Sequence, residues 1–240
     1  MKPIYVTGVG AWLAADTAEP APPAELLAAG VRRRAPPLAR MVAEVTARAL
    51  GSGATVSRPI ILGSAYGEIA TAVAMMESFR GEEGLPSPTR FHNSVHNTGV
   101  AYLSIATSNH SPSTAIAAGH NTSALAILEA WALLEDRGGS VLVVLADEVP
   151  PGPFQPVETF RAAAVAFSLS DEPGPGVSTR LRALRRGPGS APRISPDLQH
   201  HPCAGGFRLA AAIEHGLTGA VPLGPAGDVT WVVDVDRLSA

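Results

Sequence analysis

Two rhythms of apolar residues alternate along the chain. Near-continuous apolar runs occupy residues 3–12, Arg58 to Ser64, Thr114 to Ala118, Ser140 to Ala146 and Ala162 to Leu169. Runs of this length, bounded by Gly, Pro, Asn or Ser, predict strands, and unbroken ones predict strands covered on both faces. Between them apolar positions recur at helical spacing. Leu38 to Leu50 is one such segment, and Glu68 to Phe79, with Ile69, Val73, Met76 and Phe79 on one side, is another. Ser94 to Thr107 carries Val95, Tyr102, Leu103 and Ile105, and His120 to Asp136 is closed by Gly138-Gly139. A short helix is expected from Pro22 to Gly30. Strand and helix thus alternate through residue 147, which predicts an α/β fold of helices around a mixed, largely parallel sheet.

Beyond that point the texture changes. Pro150, Pro151, Pro153 and Pro156 mark an irregular passage, and Asp171 to Gly176 reads as a turn. Residues 177–200 hold Arg180, Arg182, Arg185, Arg186 and Arg193 among prolines and glycines and read as an exposed segment. Cys203 to Glu214 predicts a helix, and Val229 to Val235, with Trp231 inside it, a final strand. Loops are expected at Ala14 to Pro23 and Gly81 to Pro88, and no period of repeat length is present.

Composition narrows the function classes. A chain of 240 residues with 46% hydrophobic and 16% charged positions can bury a full core. A formal charge of −3 gives no electrostatic reason to bind nucleic acid. The basic residues are almost all arginine, Lys2 being the only lysine. Cys203 is the only cysteine, which rules out an internal disulfide and fits a reducing cytoplasm. No apolar run approaches membrane-spanning length, and the strand pattern beginning at Pro3 is unlike a signal peptide. Gly8 and Gly10 could open a dinucleotide fingerprint, but the third glycine and the helix that should follow are missing. Neither a metal nor a cofactor is expected.

The most informative stretch is Phe91 to Ala124. There the strand Thr114 to Ala118 runs through Gly119 into the helix beginning at His120, so that His120 sits where the new helix still has unpaired N–H groups and a positive dipole end. Enzymes place nucleophiles at such corners. The order of an apolar strand, small residues, Gly119, two further residues and Thr122-Ser123-Ala124 resembles the active-site turn of β-ketoacyl synthases, in which the first residue after the glycine is the acyl-accepting cysteine. Ile4 to Gly10 and Ile60 to Gly67 are similar to the family's opening strand and its third segment. Ser94-Val95-His96-Asn97 resembles the short synthase-like chain length factors of aryl polyene and related polyketide clusters.

The resemblance covers the first 150 to 170 residues and implies a thiolase-like layered fold: a single domain over 1–240, with 1–170 as a synthase-like half and 171–240 as a truncated, degenerate second half. It also implies that no residue is catalytic, since His120 replaces the cysteine and an imidazole cannot hold a stable acyl intermediate. The two histidines and the lysine of the family's second half have no match here, because no lysine follows Lys2 and His200, His201 and His215 align with none of them. What the resemblance leaves is a partner role in fatty-acid or polyketide-type biosynthesis. Ser113, Thr114, Ala115, Ile116, Ala117 and Ala118 would form the dimer strand, and Val95, Thr98 and Tyr102 would limit chain length in the acyl tunnel of a full-length ketosynthase partner. The acyl carrier protein would be met mainly through that partner, although Arg32-Arg33-Arg34 offers a second docking patch beside its plainer reading as a solvated turn. A cysteine-less malonyl decarboxylase and a homodimeric binding or scaffold protein are the alternatives.

Other constellations are weaker. His92 and His96 have the i, i+4 spacing of a helical metal pair but lack the glutamate of HExxH, which favours a hydrogen-bonded pair. His200-His201-Pro202-Cys203 holds zinc-capable donors without a second cluster, which favours a surface role. Gly63 to Gly67 is not a nucleophile elbow, because its serine is one place early. His120 itself reads as a side chain plugging an obsolete pocket.

Overall fold

The apolar runs become strands of one sheet. In the computed structural model, which describes residues 1–15, 21–51, 56–79, 87–225, 227 and 229–238, the strands are Ile4–Leu13 (β1), Ile60–Gly63 (β2), Ser113–Ile116 (β3), Ser140–Asp147 (β4), Ala163–Ser170 (β5), Thr179–Gly187 (β6), Gly219–Pro222 (β7) and Thr230–Arg237 (β8). Their order across the sheet is β3-β2-β4-β5-β1-β6-β8-β7. β2 runs parallel to both β3 and β4. Every other pairing, from β4–β5 outward to β7–β8, is antiparallel. The expected mixed sheet is therefore present, but its parallel character is confined to β3-β2-β4. Helical crossovers stop at β4, and residues 148–162 contain only a 3-10 turn, so the chain returns alongside β4 in the opposite direction.

Side chains alternate between two cores. Val141, Val143 and Leu145 of β4, with Val165 and Phe167 of β5, face helices Thr122–Arg137 (α6) and Ala204–Glu214 (α7). Leu142, Val144, Ala146, Ala164 and Ala166 face helices Pro37–Leu50 (α2) and Thr98–Thr107 (α5). That is why β2 and β4 show no polar alternation: both faces are covered. Trp131 of α6 is fully buried, and its indole N–H donates to the Lys2 carbonyl at 2.7 Å, fastening the first strand to the helical layer.

Gly8 and Gly10 owe their identity to the same packing. A Cβ on Gly10 would stand 2.5 Å from the Ala49 nitrogen, and one on Gly8 would overlap the Ala49 carbonyl. The two glycines let α2 lie directly on β1.

Several expected elements come out differently. The helix at Pro22 to Gly30 is reduced to Ala29–Arg32 (α1), because two prolines start the segment and Ala24 takes a positive φ of 53°. The helix expected from Ser94 starts only at Thr98 (α5), with Ser94 to Asn97 as a turn that joins it to a separate short helix, Pro88–Asn93 (α4). Glu68 to Phe79 is confirmed as Ile69–Ser78 (α3). The exposed segment expected at 177–200 instead begins with β6. Thr179, Leu181, Leu184 and Gly187 point inward, while Arg180 and Arg182 pair with Asp236, and Arg185 with Asp234 on β8, at 3.1, 3.3 and 2.8 Å. Such exposed pairs add little stability each, but they let this face of the sheet meet water without a helical layer. The loops expected at Ala14 to Pro23 and Gly81 to Pro88 lie largely outside the described residues. No described helix is long and apolar enough to cross a membrane.

Replacing Gly10 by alanine forces α2 off β1. The expected loss is about 2–3 kcal/mol, read as a lowered urea midpoint with an unchanged slope. A midpoint equal to that of the natural chain would refute this account of the β1–α2 contact.

Candidate functional site

The corner after β3 is built by backbone and by Thr122. Gly119 takes a positive φ of 53°, residues Gly119–Asn121 form a 3-10 turn, and α6 follows. The Thr122 hydroxyl accepts the Ala118 N–H at 3.0 Å and donates to the Gly119 carbonyl at 2.7 Å. Ser123 accepts the Gly206 N–H at 3.1 Å, tying α6 to α7. His120 takes part in none of these bonds. Rather than plugging a pocket, it is exposed and lines an open cavity of about 760 Å³, together with Glu158, Arg193, His200, Arg208 and Gly224. The plug expectation fails because the turn points the residue away from the sheet.

Beneath this cavity lies a fully buried polar knot. Asp147, the last residue of β4, accepts the Ser64 hydroxyl at 2.7 Å, the Tyr66 N–H at 2.9 Å, the Ala65 N–H at 3.1 Å and the Cys203 thiol at 3.4 Å. Ser64 in turn accepts the Gly67 N–H at 2.8 Å. Burial raises the Asp147 carboxyl's pKa, and the four hydrogen bonds oppose it. Cys203 is fully buried, and burial together with the neighbouring Asp147 raises its thiol well above the ordinary range. The chain's one thiol is therefore held protonated, not poised as a nucleophile.

His201 joins the knot, which corrects the surface role expected for His200 to Cys203. Only His200 is at the surface, with its Nδ1 2.9 Å from a Glu158 oxygen. His201 Nδ1 accepts the Cys203 N–H at 3.0 Å, so Nε2 carries the proton and donates to the Asp147 carbonyl at 3.3 Å. Burial pushes its pKa down to about 4, and the nearby His120 adds to the shift. Phe160 and Phe207 stand edge-on to the ring at 5.0 and 5.3 Å. Asp147, His201 and Cys203 bring three ligand-type atoms within 4.8 Å of one another. They do not fit a metal: both ring nitrogens are engaged and the carboxylate already accepts four donors.

Two more buried acids cap helices. Glu68 accepts the Ala39 N–H at 3.0 Å in the first turn of α2, and Glu148 accepts the Ala70 N–H at 2.9 Å in the first turn of α3. Burial, then the Glu148 charge, raises Glu68 to about 9, and burial, then the Asp147 charge, raises Glu148 to about 7. Sequence reading missed Asp147 and Glu148, although an acidic pair closing a strand buried on both faces is a visible signal. Glu68 was read only as the start of a helix.

The remaining sites fall in different places. His96 bonds the Ser64 carbonyl at 2.8 Å, as expected for a hydrogen-bonded residue, while His92 sits on α4 beyond the helix break. Val95 is exposed in that turn, and Thr98 is buried with its hydroxyl 3.3 Å from the His92 carbonyl. Tyr102 lines a surface cavity of about 430 Å³, its hydroxyl donating to the Arg34 carbonyl at 3.1 Å and lying 3.2 Å from the Asn93 side-chain oxygen. The three are expected on one helix, but the turn before Thr98 leaves Val95 outside α5, which carries Thr98 and Tyr102. β3 pairs with β2 alone among the described strands, leaving its outer edge bare. A groove of about 470 Å³ runs beside it, lined by His96, Val100, Thr114, Ala115 and Ala117.

Residues 10–204 match the model of the family described as beta-ketoacyl synthase, N-terminal domain. Among solved structures, one chain of the ketosynthase ApeO in complex with its chain length factor ApeC from Xenorhabdus doucetiae superposes with a TM-score of 0.69 at 18% identity, over 98% of this chain and 100% of that one. The ishigamide ketosynthase/chain length factor gives 0.63 at 14% identity, over 91% and 74%. AntDE:AntF, a type II polyketide synthase acyl-carrier protein in complex with its ketosynthase bound to the hexaketide, gives 0.61 at 14% identity, over 78% and 69%. The fold is the thiolase-like layered fold. No curated protein matches the chain significantly in sequence.

Replacing Asp147 by alanine strands four buried donors. The expected cost is about 3–5 kcal/mol in urea unfolding at pH 7, and a loss below about 1 kcal/mol would contradict the role of the knot. Glu68 also predicts a pH dependence. It is protonated when folded and ionised when unfolded between pH 4.5 and about 9, so the folded state holds the extra proton and stability falls as pH rises through that window. The slope is at most about 1.4 kcal/mol per pH unit for this group. Glu68→Gln keeps an acceptor for Ala39 and flattens the decline above pH 7, whereas an unchanged slope would show that Glu68 is not its source.

Proposed function

The chain belongs to the beta-ketoacyl synthase N-terminal-domain family, and we propose that within it the protein is a non-catalytic chain length factor, pairing with a ketosynthase and shaping its acyl tunnel. The observation that carries this reading is the nucleophile corner. It bears His120 in place of a thiol, while the chain's only thiol is locked protonated beneath Asp147.

Pairing through β3 is supported by hydrogen-bond parity. The Pro112 and Ile116 carbonyls are used by β2 residue Ile60 and by Ser64, so Ser113, Ala115 and Ala117 turn their backbone groups outward. A bare, short edge of that kind is completed by a strand from another subunit. Ser113 to Ala118 is the proposed interface, and Val95, Thr98 and Tyr102 are the proposed determinants of product length. Two of the similar structures are ketosynthases with their chain length factors, and the chain matched in the ApeO–ApeC complex is aligned over its whole length, which makes it as short as this one. The carrier protein would reach the cytoplasmic pair chiefly through the ketosynthase, and the product would be of the polyene type.

Ala115→Pro tests the pairing. It removes an outward N–H while leaving the bonds to β2. Co-expressed with the cognate ketosynthase, the natural chain should co-elute on size exclusion and the variant should elute alone with unchanged circular dichroism. Co-elution of the variant would refute the strand interface. In the assembled pair, Tyr102→Ala should lengthen the products seen by mass spectrometry, and an unchanged distribution would remove Tyr102 from the tunnel.

A further inference from the structure

The cavity beside His120 carries more positive charge than its surroundings offset. Arg208, one turn into α7, is half-buried on its wall, and one guanidinium nitrogen donates to the Gly224 carbonyl at 3.0 Å. Burial lowers its pKa, and Arg208 forms no ion pair with an acid among the described residues. Arg193 faces the same space from the segment between β6 and α7. Glu158 is the one acid on the wall among the described residues, and it is already engaged by His200. A half-buried guanidinium without a carboxylate partner among the described residues has planar N–H donors to offer in a cavity with room for a small molecule.

We propose that this cavity is an oxyanion-binding pocket, taking the phosphate or carboxylate end of a small ligand on Arg208 and Arg193, with His120 and His200 supplying further nitrogen contacts. The proposal goes beyond the pairing role and does not depend on it.

The test is an amide-resolved NMR titration of the full chain at pH 7, at matched ionic strength, with inorganic phosphate in one series and succinate in the other. Saturable shifts at Ala204 to Arg208 and at Gly224 are expected. Phosphate alone, succinate alone or both would each support the pocket and identify the group it takes. Arg208→Gln should weaken binding about tenfold or more and Arg193→Gln several-fold, while Arg90→Gln, on α4 outside the cavity, should leave it unchanged. If Arg208→Gln fails to fold, Arg193→Gln decides. No saturation up to about 50 mM of either anion, affinity unaffected by Arg193→Gln, or an equal loss in Arg90→Gln would overturn the proposal.

Discussion

One buried carboxyl group holds the site region together. Asp147 closes a strand covered on both faces, and its oxygens are reached from the loop after β2 and from the residue preceding α7. A carboxyl group so far from water is costly unless its lone pairs are matched. Here each oxygen accepts two donors, and the match brings together segments more than fifty residues apart along the chain. The peptide N–H groups of Ala65 and Tyr66, which no strand or helix partner takes up, are satisfied in the same place. The loop bends because the carboxyl group is there, and α7 starts where it does because Cys203 and His201 dock onto it.

The acidic caps extend the same logic. α2 and α3 begin without capping side chains of their own, and Glu68 and Glu148 supply acceptors from elsewhere in the chain. Since Glu68 begins α3 and caps α2, while Glu148 follows Asp147 and caps α3, the three acids link two helices to the end of β4. Burial in a dry interior, with the neighbouring acid's charge adding to it, favours protonation, which is why Glu68 is raised to about 9 and Glu148 to about 7.

How far the sequence reveals this differs by element. Alternation of apolar runs and helical periods through residue 147 is legible because β2 and β4 are covered on both faces and α2 buries one apolar side. β6 was not, since its inward residues are separated by arginines that read as a solvated loop until Asp234 and Asp236 on β8 are placed opposite them. The corner at Gly119 was legible from its small residues and its strand-to-helix order. The burial of His201 and Cys203 was not, because a His-His-Pro-Cys string carries no period, and only the distant Asp147 makes an interior place for it. Val95 and Tyr102 are expected on one helix, but Val95 lies in the four-residue turn before it.

The shape of the corner does not depend on the residue at position 120. Its shape rests on the left-handed Gly119, on the two hydrogen bonds of Thr122 and on the Ser123 contact to Gly206. The side chain at position 120 contributes to none of them and faces an open cavity. Exchanging a thiol for an imidazole there changes no buried contact, so the fold gains nothing by keeping sulfur and loses nothing by giving it up. The strand leading into the corner is fixed equally independently, by β2 on one side only. The side chain at the corner and the bare edge of β3 are thus separable features of one short segment.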